Sequence, residues 1–278
     1  MERALVLGGG GVTGVAWEWG LLAGLAQHGV PLSEADLVVG TSAGSVVGAQ
    51  LRSGRPVQES YAAQLAAARG EVAARFGPAA VLRLAWAGAR TRDAVRARAR
   101  IGAMALAARV PSEASRRAVI ESRLPVREWP SRRLLVTAVD AGSGAFVVFD
   151  ADSGVSLVDA VGASCAVPGV WPAVTIGDRR YVDGGMRSPV NADLAVGARR
   201  VVVLAPTTAA FGPMPRLAAQ VAALRAQGAR VAVVSPDAAA RAAIGRNVLD
   251  PARRAGAARA GRAQADAVAG EVAAVWRD

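Results

Sequence analysis

The stretch Asp36-Leu-Val-Val-Gly-Thr-Ser-Ala-Gly44 decides how this chain is read. Its apolar half reads as a short buried strand, and the residues from Ala43 to Leu51 have the make-up of a helix. Between them lies Gly40-Thr-Ser-Ala-Gly44, a G-x-S-x-G pattern at a strand-to-helix junction. In that context the flanking Gly40 and Gly44 permit a tight turn, and Ser42 is presented at the carboxyl edge of the sheet. The competing reading is a small-residue turn that only lets helix and strand pack closely. The strand on one side and the helix on the other weigh against it.

Working outward, Arg3-Ala-Leu-Val-Leu-Gly8 is a β-run that enters the glycine loop Gly8-Gly-Gly-Gly-Val-Thr-Gly14. A helix is expected from Gly14 to Gln27, ending at His28-Gly29. The frame Gly9-x-Gly11-x-x-Gly14 also fits a dinucleotide-binding loop. Either way, a bare backbone at a helix N-terminus aims N–H groups at negative charge, a bound pyrophosphate or an oxyanion formed in a reaction. The dinucleotide reading expects an acid at the end of the second strand, where Gly40 stands. Further strands are expected at 134–139, 145–149, 175–182, 200–204 and 230–234, with a helix at 156–163. This alternation predicts an α/β fold, a mainly parallel central sheet with helices on both faces. One domain over 1–278 is expected, with a basic helical insert at 69–133 and a strand and Ala/Arg-rich helices in 207–278.

Composition narrows the chemistry. All 33 basic side chains among the 278 residues are arginine. Without lysine there is no Schiff base and no Walker-type phosphate lysine. The single Cys165 and single His28 exclude an intrachain disulfide, a thiolate cluster and a multi-histidine metal site. No metal and no cofactor is expected. A Ser-His-Asp triad has only His28 to draw on, and its helix carries it about 20 Å from the glycine loop at 1.5 Å per residue. Asp183, in Asp183-Gly-Gly185 after strand-like Arg180-Tyr-Val182, is the best remaining base, although taken alone the motif reads as a plain turn. Cys165, Trp17 and Trp19 read as packing residues, and Asp140 and Asp150 as turn residues.

The formal net charge of +11 is concentrated, since residues 69–133 hold 15 Arg against 5 acids. Three readings stand for this segment: a solvated helical face, a surface for anionic membrane headgroups with Trp86 at the interface, or a nucleic-acid surface. The last lacks aromatic interleaving and any binding motif, so no nucleic acid is expected as a partner. Glycine interrupts the opening apolar run, so no signal peptide is expected, and no stretch of about 18 apolar residues suggests a membrane span. A cytoplasmic protein with peripheral membrane contact is the expectation.

The order of glycine loop, G-x-S-x-G elbow and D-G-G resembles the patatin-like phospholipases, serine lipid acyl hydrolases with a Ser-Asp dyad. The block Ala163-Ser-Cys-Ala-Val-Pro-Gly-Val-Trp-Pro-Ala173 is similar to that family's segment before D-G-G, and the likeness spans roughly 4–206 outside the basic insert. The resemblance implies a three-layer α/β/α fold, Ser42 as nucleophile and Asp183 as base. It places the oxyanion hole at the backbone of Gly9, Gly10 and Gly11, with Gly184 and Gly185 in support and a lipid ester as substrate. Thr13 stands where the family's loop usually carries Arg or Lys. Two readings from other classes compete: a non-catalytic dinucleotide- or anion-binding module, and a basic membrane- or nucleic-acid-associated scaffold.

Overall fold

A computed structural model describes residues 1–66, 74, 82, 91–210 and 212–277. Eight strands among them form one sheet: β1 (Arg3–Leu7), β2 (Leu37–Gly40), β3 (Arg133–Asp140), β4 (Phe146–Phe149), β5 (Val174–Ile176), β6 (Arg179–Asp183), β7 (Arg200–Leu204) and β8 (Arg230–Val234). The described helices are α1 (Gly11–Gln27), α2 (Ala43–Arg52), α3 (Val57–Leu65), α4 (Ala94–Leu106), α5 (Glu113–Arg123), α6 (Leu157–Ser164), α7 (Leu217–Ala226), α8 (Ala238–Ile244) and α9 (Arg254–Trp276).

The strands β3, β2, β1, β7 and β8 run parallel, while β4 and β6 join β3, and β5 joins β6, antiparallel. The parallel strands are apolar on both faces because both are covered. Leu5, Leu7, Val38, Leu134, Val202 and Leu204 point into the core shared with α1, α2 and α9. Their alternates Ala4, Val6, Val39, Val201 and Val203 point the other way, toward α7 and the turn at 192–195. The expected α/β architecture with helices on both faces is what forms.

The Ala/Arg-rich C-terminus has a packing reason. On α1, a Cβ at Gly20 would lie 2.1 Å from the Ala258 carbonyl oxygen, and on α9 one at Gly261 would lie 2.3 Å from that of Trp17. The two helices therefore approach backbone to backbone, which only Gly and Ala at the seam allow. Trp17 and Trp19 are fully buried, and their indoles donate to Gln264 at 3.0 Å and to Gln50 at 2.7 Å. His28 caps α1 and meets Asp266 of α9 at 2.8 Å on the surface, so it serves as a helix end. Asp140 and Asp150 accept backbone amides of their own turns, as expected of turn residues.

Among the described residues of the basic segment, 94–106 and 113–123 are helical, in α4 and α5. Positions 69–73, 75–81 and 83–90, Trp86 among them, lie outside the described residues. A fully solvated face does not describe the rest, since Arg98 and Arg116 are each only 7% exposed. Arg98 donates to the Gly144 carbonyl at 2.7 Å. No helix among the described residues is long and apolar enough to cross a membrane.

Glu18, on α1, is fully buried, and neither carboxyl oxygen has a hydrogen-bond partner among the described residues. Burial pushes its pKa well above the usual carboxylate range, only partly opposed by the nearby Gly8 amide, which is itself bonded to the Leu204 carbonyl. A carboxyl with a raised folded-state pKa costs nothing below its unfolded value near 4.3 and progressively more as pH rises toward the folded value. Glu18→Gln is therefore expected to stabilise the protein at neutral and alkaline pH, with the gain shrinking toward pH 4. The slope through that window is about 1.4 kcal/mol per pH unit. Denaturant unfolding across pH checks this, and a pH-independent difference would contradict it.

Candidate active site

The register of β3 explains how two residues far apart in sequence meet. Val136 pairs with Gly40 of β2 and with Phe149 of β4, so β2 and β4 lie on opposite edges of β3. Ala138 pairs with Val147 of β4 and with Asp183 of β6, which places β6 on the same edge as β2. The ends of β2 and β6 thus face each other along one edge, about 7 Å apart for two residues of strand. Ser42 follows one end and Asp183 is the other.

Ser42 sits at φ 53°, ψ −114°, a left-handed conformation unusual for a residue with a Cβ. The surrounding structure holds it there. The Thr41 amide donates to the Leu7 carbonyl and the Gly44 amide to the Gly8 carbonyl, each at 3.0 Å. The flanking glycines serve close approach, since neither has a positive φ. A Cβ at Gly44 would lie 2.1 Å from the Leu7 carbonyl oxygen, and one at Gly40 2.6 Å from the Ser45 Cα. The positive φ at this turn falls on the serine and not on either glycine.

The block before D-G-G holds both partners. Ser164 accepts the Ser42 amide at 2.8 Å, the Cys165 thiol donates to the Ser42 carbonyl at 3.3 Å, and the Ala166 carbonyl accepts the Asp183 amide at 3.1 Å. Cys165 is thereby a packing residue under the elbow, and burial raises its thiol pKa further from nucleophilic use.

Asp183 is 3% exposed. Its carboxylate accepts the Gly185 amide at 2.7 Å and lies near enough to the Ser42 hydroxyl for that hydroxyl to lower its pKa. Burial pushes its pKa up to about 6, the dominant influence, against the Ser42 hydroxyl, the Gly185 hydrogen bond and the nearby Arg116 charge, which pull it down. Gly184 has no room for a side chain, because its Cβ would lie 2.2 Å from Thr137 Oγ1.

The glycine loop lies directly against Ser42, with a Cβ built at Gly9 only 3.5 Å from the Ser42 Cβ. Gly9 does not fit the role expected of it. Its amide donates to the Pro189 carbonyl at 2.7 Å and is committed to the fold. The amides of Gly10 and Gly11, at the start of α1, have no acceptor among the described residues. Thr13 is fully buried, and its hydroxyl and amide both donate to the Val248 carbonyl, at 3.2 and 3.1 Å, fastening the loop to the segment before α9.

Asn191 is a residue that sequence reasoning missed. It is fully buried at φ 54°, and its side-chain amide donates to Thr41 Oγ1 at 3.0 Å and the Ser188 carbonyl at 2.9 Å, with the Gly184 carbonyl at 3.3 Å. It ties the elbow to the D-G-G turn, so it positions both without touching the cleft. An Asn in an S-P-V-N run carries no local signal for that.

Ser42, Asp183 and the glycine loop open on a cleft of about 260 Å³ whose walls include Val167, Met186, Val248 and Leu249. A serine hydroxyl and a buried carboxylate in one cleft, with two unspent amides beside them, are an arrangement suited to nucleophilic acyl transfer. Among the described residues, no group of three His, Cys, Asp or Glu side chains is placed to hold a metal ion.

The chain is similar to solved structures of low sequence identity. It matches VipD from Legionella pneumophila with a TM-score of 0.52 and 11% identity, over 97% of this chain and 67% of that one. It also matches the type III effector protein ExoU with a TM-score of 0.45 and 15% identity, over 99% of this chain and 53% of that one, so it spans about half the length of ExoU. No curated protein matches by sequence. The VipD likeness speaks for the fold. A family model for patatin-like phospholipases matches residues 5–196, which contain the glycine loop, the serine elbow and Asp183-Gly-Gly185. The chain belongs to the patatin-like phospholipase family.

Proposed function

We propose that this protein is a serine lipid acyl hydrolase that cleaves carboxylic esters of lipids, of phospholipase A or lysophospholipase type, through a Ser42–Asp183 dyad. The observation that carries the reading is that Ser42 and the buried Asp183 line one cleft beside the unspent Gly10 and Gly11 amides. Ser42 Oγ attacks the ester carbonyl while its proton passes to Asp183. The two amides hold the developing oxyanion, and their position at the N-terminus of α1 adds the helix dipole to that stabilisation. Collapse expels the alcohol, which takes the proton from Asp183 and leaves an acyl-Ser42 ester. Water then attacks that ester, its proton passing to Asp183 and from there to the departing Ser42 oxygen, which frees the acid.

A base in this role must be ionised, and an ordinary aspartate near pKa 4 is a weak one at neutral pH. The elevated value of about 6 for Asp183 suits the task. The kcat/KM for a soluble short-chain ester is therefore expected to fall about tenfold per pH unit below pH 6 and to level off above it. A profile flat down to pH 4 in folded protein would contradict Asp183 as the base. The solvent-facing Arg92, Arg96, Arg100 and Arg109 support a basic rim for contact with anionic membrane headgroups, at the periphery of a protein that works in the cytoplasm.

A further inference from the structure

Residues 245–250, which follow α8, supply part of the wall of the cleft and lie outside the residues that match the family model. The segment is fastened on both sides of Leu249. Before it, the Val248 carbonyl accepts the amide and the hydroxyl of Thr13. After it, the Asp250 carboxylate accepts the Ala252 amide at 3.0 Å and caps the turn that leads into α9. Leu249 is 6% exposed, and a Cβ built at Gly11 would lie 2.9 Å from its Cδ2. The leucine side chain is therefore held directly against Gly11, one of the two residues whose amides are unspent.

The cleft has two lobes that meet at Ser42. The wide one, of about 260 Å³, runs past Asp183 and Met186, and the narrow one, of about 20 Å³, has Val46 and Trp171 among its walls. Gly11, Ser42, Val167 and Leu249 line both lobes, so they frame the junction. The rest of that frame is as firmly held as Leu249. Val167 follows Cys165, whose thiol is bonded to the Ser42 carbonyl, and its own carbonyl accepts the Trp171 amide at 2.9 Å. Trp171 is buried, with the Arg116 guanidinium 4.0 Å from the centre of its ring.

An ester carbonyl carbon bonded to Ser42 Oγ, with its oxygen at the Gly10 and Gly11 amides, sits at this junction. Its acyl chain and its leaving alcohol need the wide lobe, because a space of about 20 Å³ takes little more than one water-sized group. A second branch on the carbon next to the carbonyl would have only the narrow lobe to enter, against Leu249 and Val167, and a close-packed wall yields little. We infer that Leu249, together with Val167, determines specificity for the acyl group, admitting straight chains and excluding those branched at the carbon next to the carbonyl. This rests on the acyl-hydrolase reading and adds selection among acyl groups to it.

The test measures kcat/KM for p-nitrophenyl hexanoate and p-nitrophenyl 2-ethylhexanoate in wild type, Leu249→Ala, Val167→Ala and Leu224→Ala. Each ratio is set against the ratio for hydrolysis of the same two esters by hydroxide. Leu224 is also buried, but it lies on α7 and lines neither lobe. Relative to hydroxide, wild type is expected to favour the straight chain by roughly 30-fold or more. Leu249→Ala and Val167→Ala should each lower that preference by about tenfold or more, through a gain on the branched ester, while Leu224→Ala leaves it unchanged. Leu249→Val, a smaller truncation, should lower it by roughly threefold, and it decides the matter if Leu249→Ala does not fold.

A wild-type ratio equal to that of hydroxide would overturn the inference, as would variants that lose both esters in proportion or an equal drop in Leu224→Ala. Failure of the hydrolase reading looks different: neither ester is turned over, Ser42 takes no fluorophosphonate label, and the inference falls with it.

Discussion

Ser42→Ala is expected to reduce ester hydrolysis by roughly 10⁴-fold or more while leaving the protein folded. The loss is large because the covalent intermediate has no other oxygen to form on. Cys165, the nearest alternative nucleophile in type, is buried with its thiol already bonded to the Ser42 carbonyl. The fold should tolerate the change. Alanine and serine carry the same Cβ at φ 53°, so the backbone strain is unaltered, and the Ser42 amide keeps Ser164 as its acceptor. Asp183 loses the influence of the Ser42 hydroxyl that holds its pKa down, so its carboxyl should titrate above about 6 in the variant. Substrate turnover and a pH titration followed by NMR read the two effects, and residual activity above a hundredth of wild type would count against Ser42 as nucleophile.

Asp183→Asn is expected to move activity and stability in opposite directions. Loss of the base should lower kcat/KM by about 10³-fold and erase the limb near pH 6, within the usual range for general-base catalysis. The replacement is nearly isosteric and keeps an oxygen to accept the Gly185 amide now held at 2.7 Å. For stability, the folded pKa of Asp183 lies above its usual 3.8, at about 6. The cost of its ionisation is therefore absent below the unfolded pKa and complete once pH has risen through 6. That difference is worth roughly 3 kcal/mol. Asparagine escapes it, so the variant should be more stable than wild type at pH 7 and little changed at pH 4. An inactive variant that was also less stable at pH 7 would point to a structural role instead.

Much of this was legible in local sequence. The elbow and the glycine loop each combine a strand, a turn and a helix within about fifteen residues, so pattern alone places Ser42 at a sheet edge. His28 was excluded for a local reason as well, the length of the helix that carries it away. What sequence could not supply was convergence. The meeting of β2 and β6 on one edge of β3 depends on two registers, between residues about 96 and about 45 apart in sequence. The same holds for Gly9, whose amide is taken by Pro189, and for Asn191, which bonds to Thr41 across 150 positions. The start of α1 shows a local rule overridden by packing. Helical spacing set the expected start at Gly14, yet the helix begins at Gly11, where the loop lies against Pro206 and Val248. In the basic segment, composition predicted the helices but not that Arg116 turns inward onto Trp171.

The most direct test is to treat folded protein with a fluorophosphonate ester and map the adduct by peptide mass spectrometry. A single phosphonyl group on Ser42 is expected, absent from Ser42→Ala and formed much more slowly in Asp183→Asn. Folded wild type that takes up no label, or takes it up on another residue, would contradict the dyad.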